Sequence, residues 1–153
     1  MSFTQGLTIV ISGMLGTVGF SALFRCDKRR VFCNAVGGAL VCVIYVVCCY
    51  KSDSIFLQNF FPALFATTYA EAMARVLKAP ATPILACSII PLVPGGKLYY
   101  TTYYIVTGQS ELFRVSLRET LVIAGGLAVG IICISVIVHE INRHKFKQII
   151  DVD

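Results

Sequence analysis

The chain has 153 residues, of which 57% are hydrophobic and 14% charged, with a formal net charge of +5. A soluble domain carries roughly 25% charged residues, and the apolar residues here fall in long runs rather than in alternation. This excludes an ordinary water-soluble enzyme and predicts an all-α integral membrane protein, a single domain over residues 1–153 with about five transmembrane helices. The positive charge builds no nucleic-acid-binding face, because the basic residues stand in short blocks between apolar runs, as the positive-inside rule expects.

The first span is expected over about residues 3–24. It lacks a basic n-region and leads straight into a basic loop, so it reads as a retained span and not as a cleaved signal. Gly13, Gly16 and Gly19 recur at intervals of three and predict a packing face for another helix. Arg25-Cys26-Asp27-Lys28-Arg29-Arg30 is a cytoplasmic turn, and the second span, about 31–50, has Gly37 and Gly38 as close-packing points.

Lys51-Ser52-Asp53-Ser54 makes the opposite turn. The third span, about 55–77, carries Pro62, where a kink is expected, and a small-residue stripe of Ala66, Ala70 and Ala74. Glu71 and Arg75 lie four apart with the acid first, the favourable order for a helical ion pair. Glu71 is also a candidate proton-coupling carboxylate. Lys78-Ala79-Pro80 ends the helix, since the residue before proline is pushed out of α geometry.

The fourth element, about 81–107, is an apolar stretch of membrane length cut by Pro91-Leu92-Val93-Pro94-Gly95-Gly96. Its halves are each too short to cross ~30 Å of hydrocarbon, so they are expected to cross once together. Residues 109–119 are mildly amphipathic and suggest an interfacial turn of helix. The last span is expected over about 120–138, with Gly126 and Gly130 forming G-x-x-x-G, followed by a basic cytoplasmic tail, 139–153, containing Arg143, Lys145 and Lys147. Five crossings place nine of the thirteen Lys and Arg residues on the inner side and Lys51, Arg114 and Arg118 on the outer. That predicts the N-terminus outside and the C-terminus in the cytoplasm, and opposes a re-entrant reading of the broken element.

The break carries the chemistry. Proline removes an N–H donor and clashes with the preceding turn, and irregular backbone survives at membrane depth only in protein or beside a wet cavity. A half-helix starting at Gly95 and Gly96, with Lys97 in its first turn, offers free N–H groups and positive charge to a carboxylate. The alternative is a packing kink with Lys97 snorkelling to an interface. Tyr99, Tyr100, Tyr103 and Tyr104, with Thr101 and Thr102, either present a hydroxyl-bearing face to a polar solute or form an interfacial aromatic belt.

Other motifs carry less. The seven cysteines lie mostly in apolar runs without C-x-x-C or a nearby histidine, so they are expected to pack as small hydrophobes rather than bind metal. His139-Glu140-Ile141-Asn142-Arg143-His144 has one residue too many for H-E-x-x-H, which turns the histidines about 140° apart. No cofactor, metal or catalytic residue is expected.

Pro91-Leu92-Val93-Pro94-Gly95 followed by Tyr99 resembles the threonine/serine exporter family, in particular its small subunit, which corresponds to the C-terminal half of fused members. The resemblance extends over the glycine-rich first span, the basic loop and the Ala74-Arg75 to Ala79-Pro80 segment. It implies an inner-membrane exporter of small metabolites driven by the proton gradient, with threonine and serine as solutes of fused members and succinate linked to a split pair. It also implies a larger, membrane-embedded partner subunit. Pro91, Pro94, Gly95 and Tyr99 are the motif residues it carries over, and self-association into a homo-oligomer stays open. The competing classes are a non-transporting scaffold or assembly subunit, in which the break only shapes an interface, and a membrane thiol enzyme.

Overall fold

The computed structural model describes residues 3–150, and every regular element among them is helical. In order these are α1 (Phe3–Leu23), α2 (Lys28–Lys51), α3 (Ile55–Leu77), α4 (Ala81–Ile89), a 3-10 turn (Ile90–Leu92), α5 (Gly95–Val106) and α6 (Ser110–Ile150). Three helices end on one device. Arg25, Lys78 and Gly108 adopt left-handed backbone, with φ of 51°, 49° and 73°, and the following amide returns to the preceding turn. These bonds are Cys26 N–H to the Ser21 carbonyl, Ala79 to Ala74 and Gln109 to Tyr104. Such caps satisfy carbonyls that a helix end leaves orphaned. Only Gly108 takes that backbone without a Cβ penalty.

α3 is the central helix. It packs along α6, α2 and α4, while α1 lies against α2 and α5 against α6. The core gathers Val41 of α2, Ala63 and Ala66 of α3, Leu92 of the turn and Leu127 of α6. Small residues set the approach: a Cβ on Gly130 would stand 2.8 Å from the Phe60 carbonyl oxygen and 2.8 Å from Ala63 Cβ. α3 and α6 therefore meet nearly backbone to backbone. On α2, Gly37 and Gly38 make room for side chains instead, those of Tyr69 and Thr17.

Three expectations change. The contact face of α1 is Gly6, Gly13, Thr17 and Ser21, whereas Gly16 and Gly19 look into open space. Steps of three residues drift about 60° per step, so the glycine series leaves the interface after Gly13. Residues 109–119 form no separate interfacial helix: α6 starts at Ser110 and runs unbroken to Ile150, since after Gly108 neither proline nor a capping turn interrupts it. The basic segment after α1 is likewise partly helical, because α2 begins at Lys28. Within the expected tail Arg143 pairs with Glu140. The side chains of Lys145 and Lys147, and residues 151–153, lie outside the described set.

Among the described residues three helices are long and apolar enough to cross a membrane: Phe3–Leu23, Lys28–Lys51 and Ser110–Ile141. The pair Ala81–Leu92 and Gly95–Val106 makes a fourth if it is one bent span. α3 has the length but not the apolarity, with Gln58, Asn59, Thr67, Thr68 and Glu71 along it. Its central place explains this, because Asn59 and Thr67 are buried against protein and donate to carbonyls one turn back, Asn59 to Ile55 and Thr67 to Ala63.

Candidate functional site

Two prolines make the break. Neither Pro91 nor Pro94 has an N–H to continue a helix, so the chain tightens into the 3-10 turn and Val93 turns extended, with ψ of 128°. α5 then restarts at Gly95 with its axis bent 58° from the preceding segment. The break is anchored rather than loose: Leu92 is buried in the core, and Gly13 of α1 is close enough that a Cβ there would sit 3.3 Å from Pro91 Cβ. Local bonds satisfy part of the backbone, Val93 N–H to the Ile90 carbonyl at 3.1 Å and Leu98 N–H to the Pro94 carbonyl at 2.9 Å. The Gly96 and Lys97 amides, in the first turn of α5, have no acceptor among these bonds, as at any helix start.

A cavity of about 880 Å³ opens over this turn, inside the ~300–1,000 Å³ span of small-molecule sites. The break forms one wall through Pro91, Pro94, Gly95, Gly96 and Lys97. α1 adds Ser12 and Gly13, α2 adds Cys42 and Tyr45, α3 adds Asn59, and α6 adds Ser116 and Glu119. Nothing stands within 4 Å of where a Cβ on Gly95 or Gly96 would be, so the wall there is bare backbone facing space.

Lys97 and Glu119 are the charged residues lining the cavity, and they form an ion pair between α5 and α6. The lysine is held from below. Thr101 Oγ1 lies 2.7 Å from the Lys97 carbonyl, 2.9 Å from Ser116 Oγ and 3.4 Å from Thr120 Oγ1. Ser116 Oγ also approaches the Lys97 carbonyl at 3.3 Å. Thr101, Ser116 and Thr120 are buried, so this hydroxyl cluster joins the start of α5 to α6 and sets Lys97 beside Glu119. Lys97 is therefore ion-paired with Glu119.

Of the sequence-predicted residues, Pro91, Pro94, Gly95, Gly96 and Lys97 converge on one cavity. Tyr99 and Tyr103 do not line it; Tyr100 and Tyr104 do, stacked with ring centroids 6.0 Å apart. Glu71 and Arg75 also lie away from the cavity, and the helical pair expected between them is not formed. The ion pairs among the described residues are Asp27–Arg30, Lys97–Glu119, Glu111–Arg114 and Glu140–Arg143. Glu119 is the residue that sequence reasoning missed. Its signal was the small-residue spacing Ser116-x-x-x-Thr120, which marks a face of α6 that another helix approaches. Among the described residues the cysteines are unpaired, with Cys42 and Cys87 buried, and no group of three or more metal-ligating side chains occurs.

The profile of the family described as threonine/serine exporter, ThrE, matches residues 9–137. The chain belongs to the threonine/serine exporter family. The match covers every residue lining the cavity, from Ile9 to Ile123, together with the whole break. An exporter-type membrane transporter is the class that membership supplies, and it accords with the long apolar helices. No curated protein and no solved structure gives a significant match to the chain.

Proposed function

We propose that the chain is a subunit of a secondary-active exporter of small carboxylate-bearing metabolites, either threonine and serine or a dicarboxylate such as succinate. It works with a larger membrane subunit of the same family in the cell's inner membrane, coupled to the proton gradient. The observation that carries this reading is the cavity whose wall is the broken helix, where free backbone amides at Gly96 and Lys97 and the Lys97 ammonium face the same space. A carboxylate is stabilised by such a helix start, and discontinuous helices at repeat interfaces are where secondary transporters bind their solutes.

In this reading the chain crosses five times. α4 and α5 together make the fourth crossing, and α3 crosses inside a sheath of α2, α4 and α6. The start of α1 faces outside and the end of α6 the cytoplasm, as the distribution of Lys and Arg favours.

The test is efflux from cells preloaded with serine- and threonine-containing peptides, with intracellular succinate followed in parallel. Strains carry this chain alone, the chain with the larger subunit, or neither. Faster loss of amino acid or succinate only with both chains supports a two-component exporter and names the solute. Equal loss in all three strains, with both proteins shown in the membrane, refutes these substrates and favours a scaffold.

A further inference from the structure

The export reading uses only the cationic half of the charge pair that lines the cavity. Its wall presents one cation and one anion, Lys97 and Glu119, already in contact. Both are rooted on rigid ground: the Lys97 carbonyl is bonded from Thr101 and Ser116, and Glu119 follows Ser116 by three residues on α6. Neither charge is sealed in, with side-chain exposures of 51% for Lys97 and 30% for Glu119.

For an incoming solute, such a pair is neutral overall. A dicarboxylate gains Lys97 but brings two like charges to Glu119, and like charges in contact disfavour one another. A zwitterion, with ammonium and carboxylate on the same carbon, can enter between the two side chains. It then replaces one ion contact by two and leaves the cavity neutral. Both side chains have the flexible methylene stems needed to part around it.

Resting on the export reading, we propose that Glu119 is the specificity-determining residue that receives the solute's ammonium group, while Lys97 and the α5 amides receive its carboxylate. The ion pair is thus the template for an α-amino acid.

The experiment uses everted membrane vesicles from cells making this chain and the larger subunit, in which export becomes uptake. Four labelled probes are compared: serine, glycerate (the ammonium replaced by hydroxyl), ethanolamine (the carboxylate removed) and succinate. Wild type is expected to prefer serine. In E119Q, serine uptake below saturation falls about tenfold or more, the loss of one charge-assisted contact, while glycerate uptake is unchanged or rises. In K97Q the loss extends to glycerate and spares ethanolamine. Should E119Q fail to accumulate, E119D keeps the carboxylate and is expected to retain the serine-to-glycerate ratio at a lower rate. An unchanged ratio in E119Q, a changed ratio in E119D, or a wild-type preference for succinate overturns the assignment. Uptake of none of the probes by wild type, with both chains present, overturns the export reading itself.

Discussion

Gly96 offers the cleanest separation between folding and transport. Its Cβ position is open, and its backbone is ordinary helix, so Gly96→Ala introduces neither a clash nor strain. Alanine is favoured over glycine within a helix by up to about 1 kcal/mol, less in a first turn, so the variant should accumulate at least as well as the parent. A side chain there projects into the space a carboxylate needs to reach the Gly96 and Lys97 amides. Losing one amide-to-carboxylate bond costs about 1.5–3 kcal/mol, or roughly ten- to a hundredfold in apparent affinity. The series Gly96→Ala, →Val, →Leu should therefore show a graded fall in efflux of whichever solute the efflux test identifies, at constant membrane abundance, with leucine the most severe. Abundance is read by immunoblot and by the monodisperse fraction in detergent. A leucine variant that transports normally at normal abundance would show that solute does not pass over this turn, and the site would have to be sought elsewhere.

Gly13→Leu should act through packing instead, since its Cβ would lie 2.3 Å from Cys42 Sγ. Overpacking of this kind costs about 1–3 kcal/mol, seen as a lower melting temperature in detergent and partly relieved by adding Cys42→Ala. Thr101→Val with Ser116→Ala removes the hydroxyl cluster between α5 and α6 at about 0.5–1.5 kcal/mol per bond, and faster amide exchange at the start of α5 should report it. Asn34 Nδ2 donates to Ser21 Oγ at 2.9 Å, while Asn34 Oδ1 and the buried Ser88 Oγ have no partner. Asn34→Ala loses that bond but also removes an orphaned acceptor, so it should cost about 1 kcal/mol or less, and Ser88→Ala should be neutral or stabilising in the same melts. Replacing all seven cysteines, Cys42 and Cys87 by alanine, should leave efflux intact; its abolition would revive a thiol-based activity.

Much of the helical layout was legible because the chain punctuates itself. Lys51-Ser52-Asp53-Ser54 and Lys78-Ala79-Pro80 bracket α3 at Ile55–Leu77, and two prolines with two glycines declared the interruption before α5. Local signals of this sort act through backbone sterics and need no neighbour. The start of α6 was hidden because an amphipathic stretch continuing into an apolar one has no stop between them. Only the later half looks like a span, yet both are one helix.

What stayed illegible is rotation, the question of which face meets which neighbour. On α5 it is decided by Thr101, whose hydroxyl is buried against Ser116 and Thr120 of α6. With Thr101 turned to α6, Lys97 and Tyr104 fall within about 60° of that direction, whereas Tyr99 and Tyr103 lie about 160° away. A tyrosine face could be inferred from spacing, but the choice between its two halves could not. The same contact brings Glu119 into play, three residues beyond Ser116, and turns an isolated lysine into half of an ion pair. Four neighbouring tyrosines drew attention that belonged to one threonine between them. In a chain with little polar chemistry to spend, a small hydroxyl opposite another small hydroxyl on the next helix was the better guide to how the site is assembled.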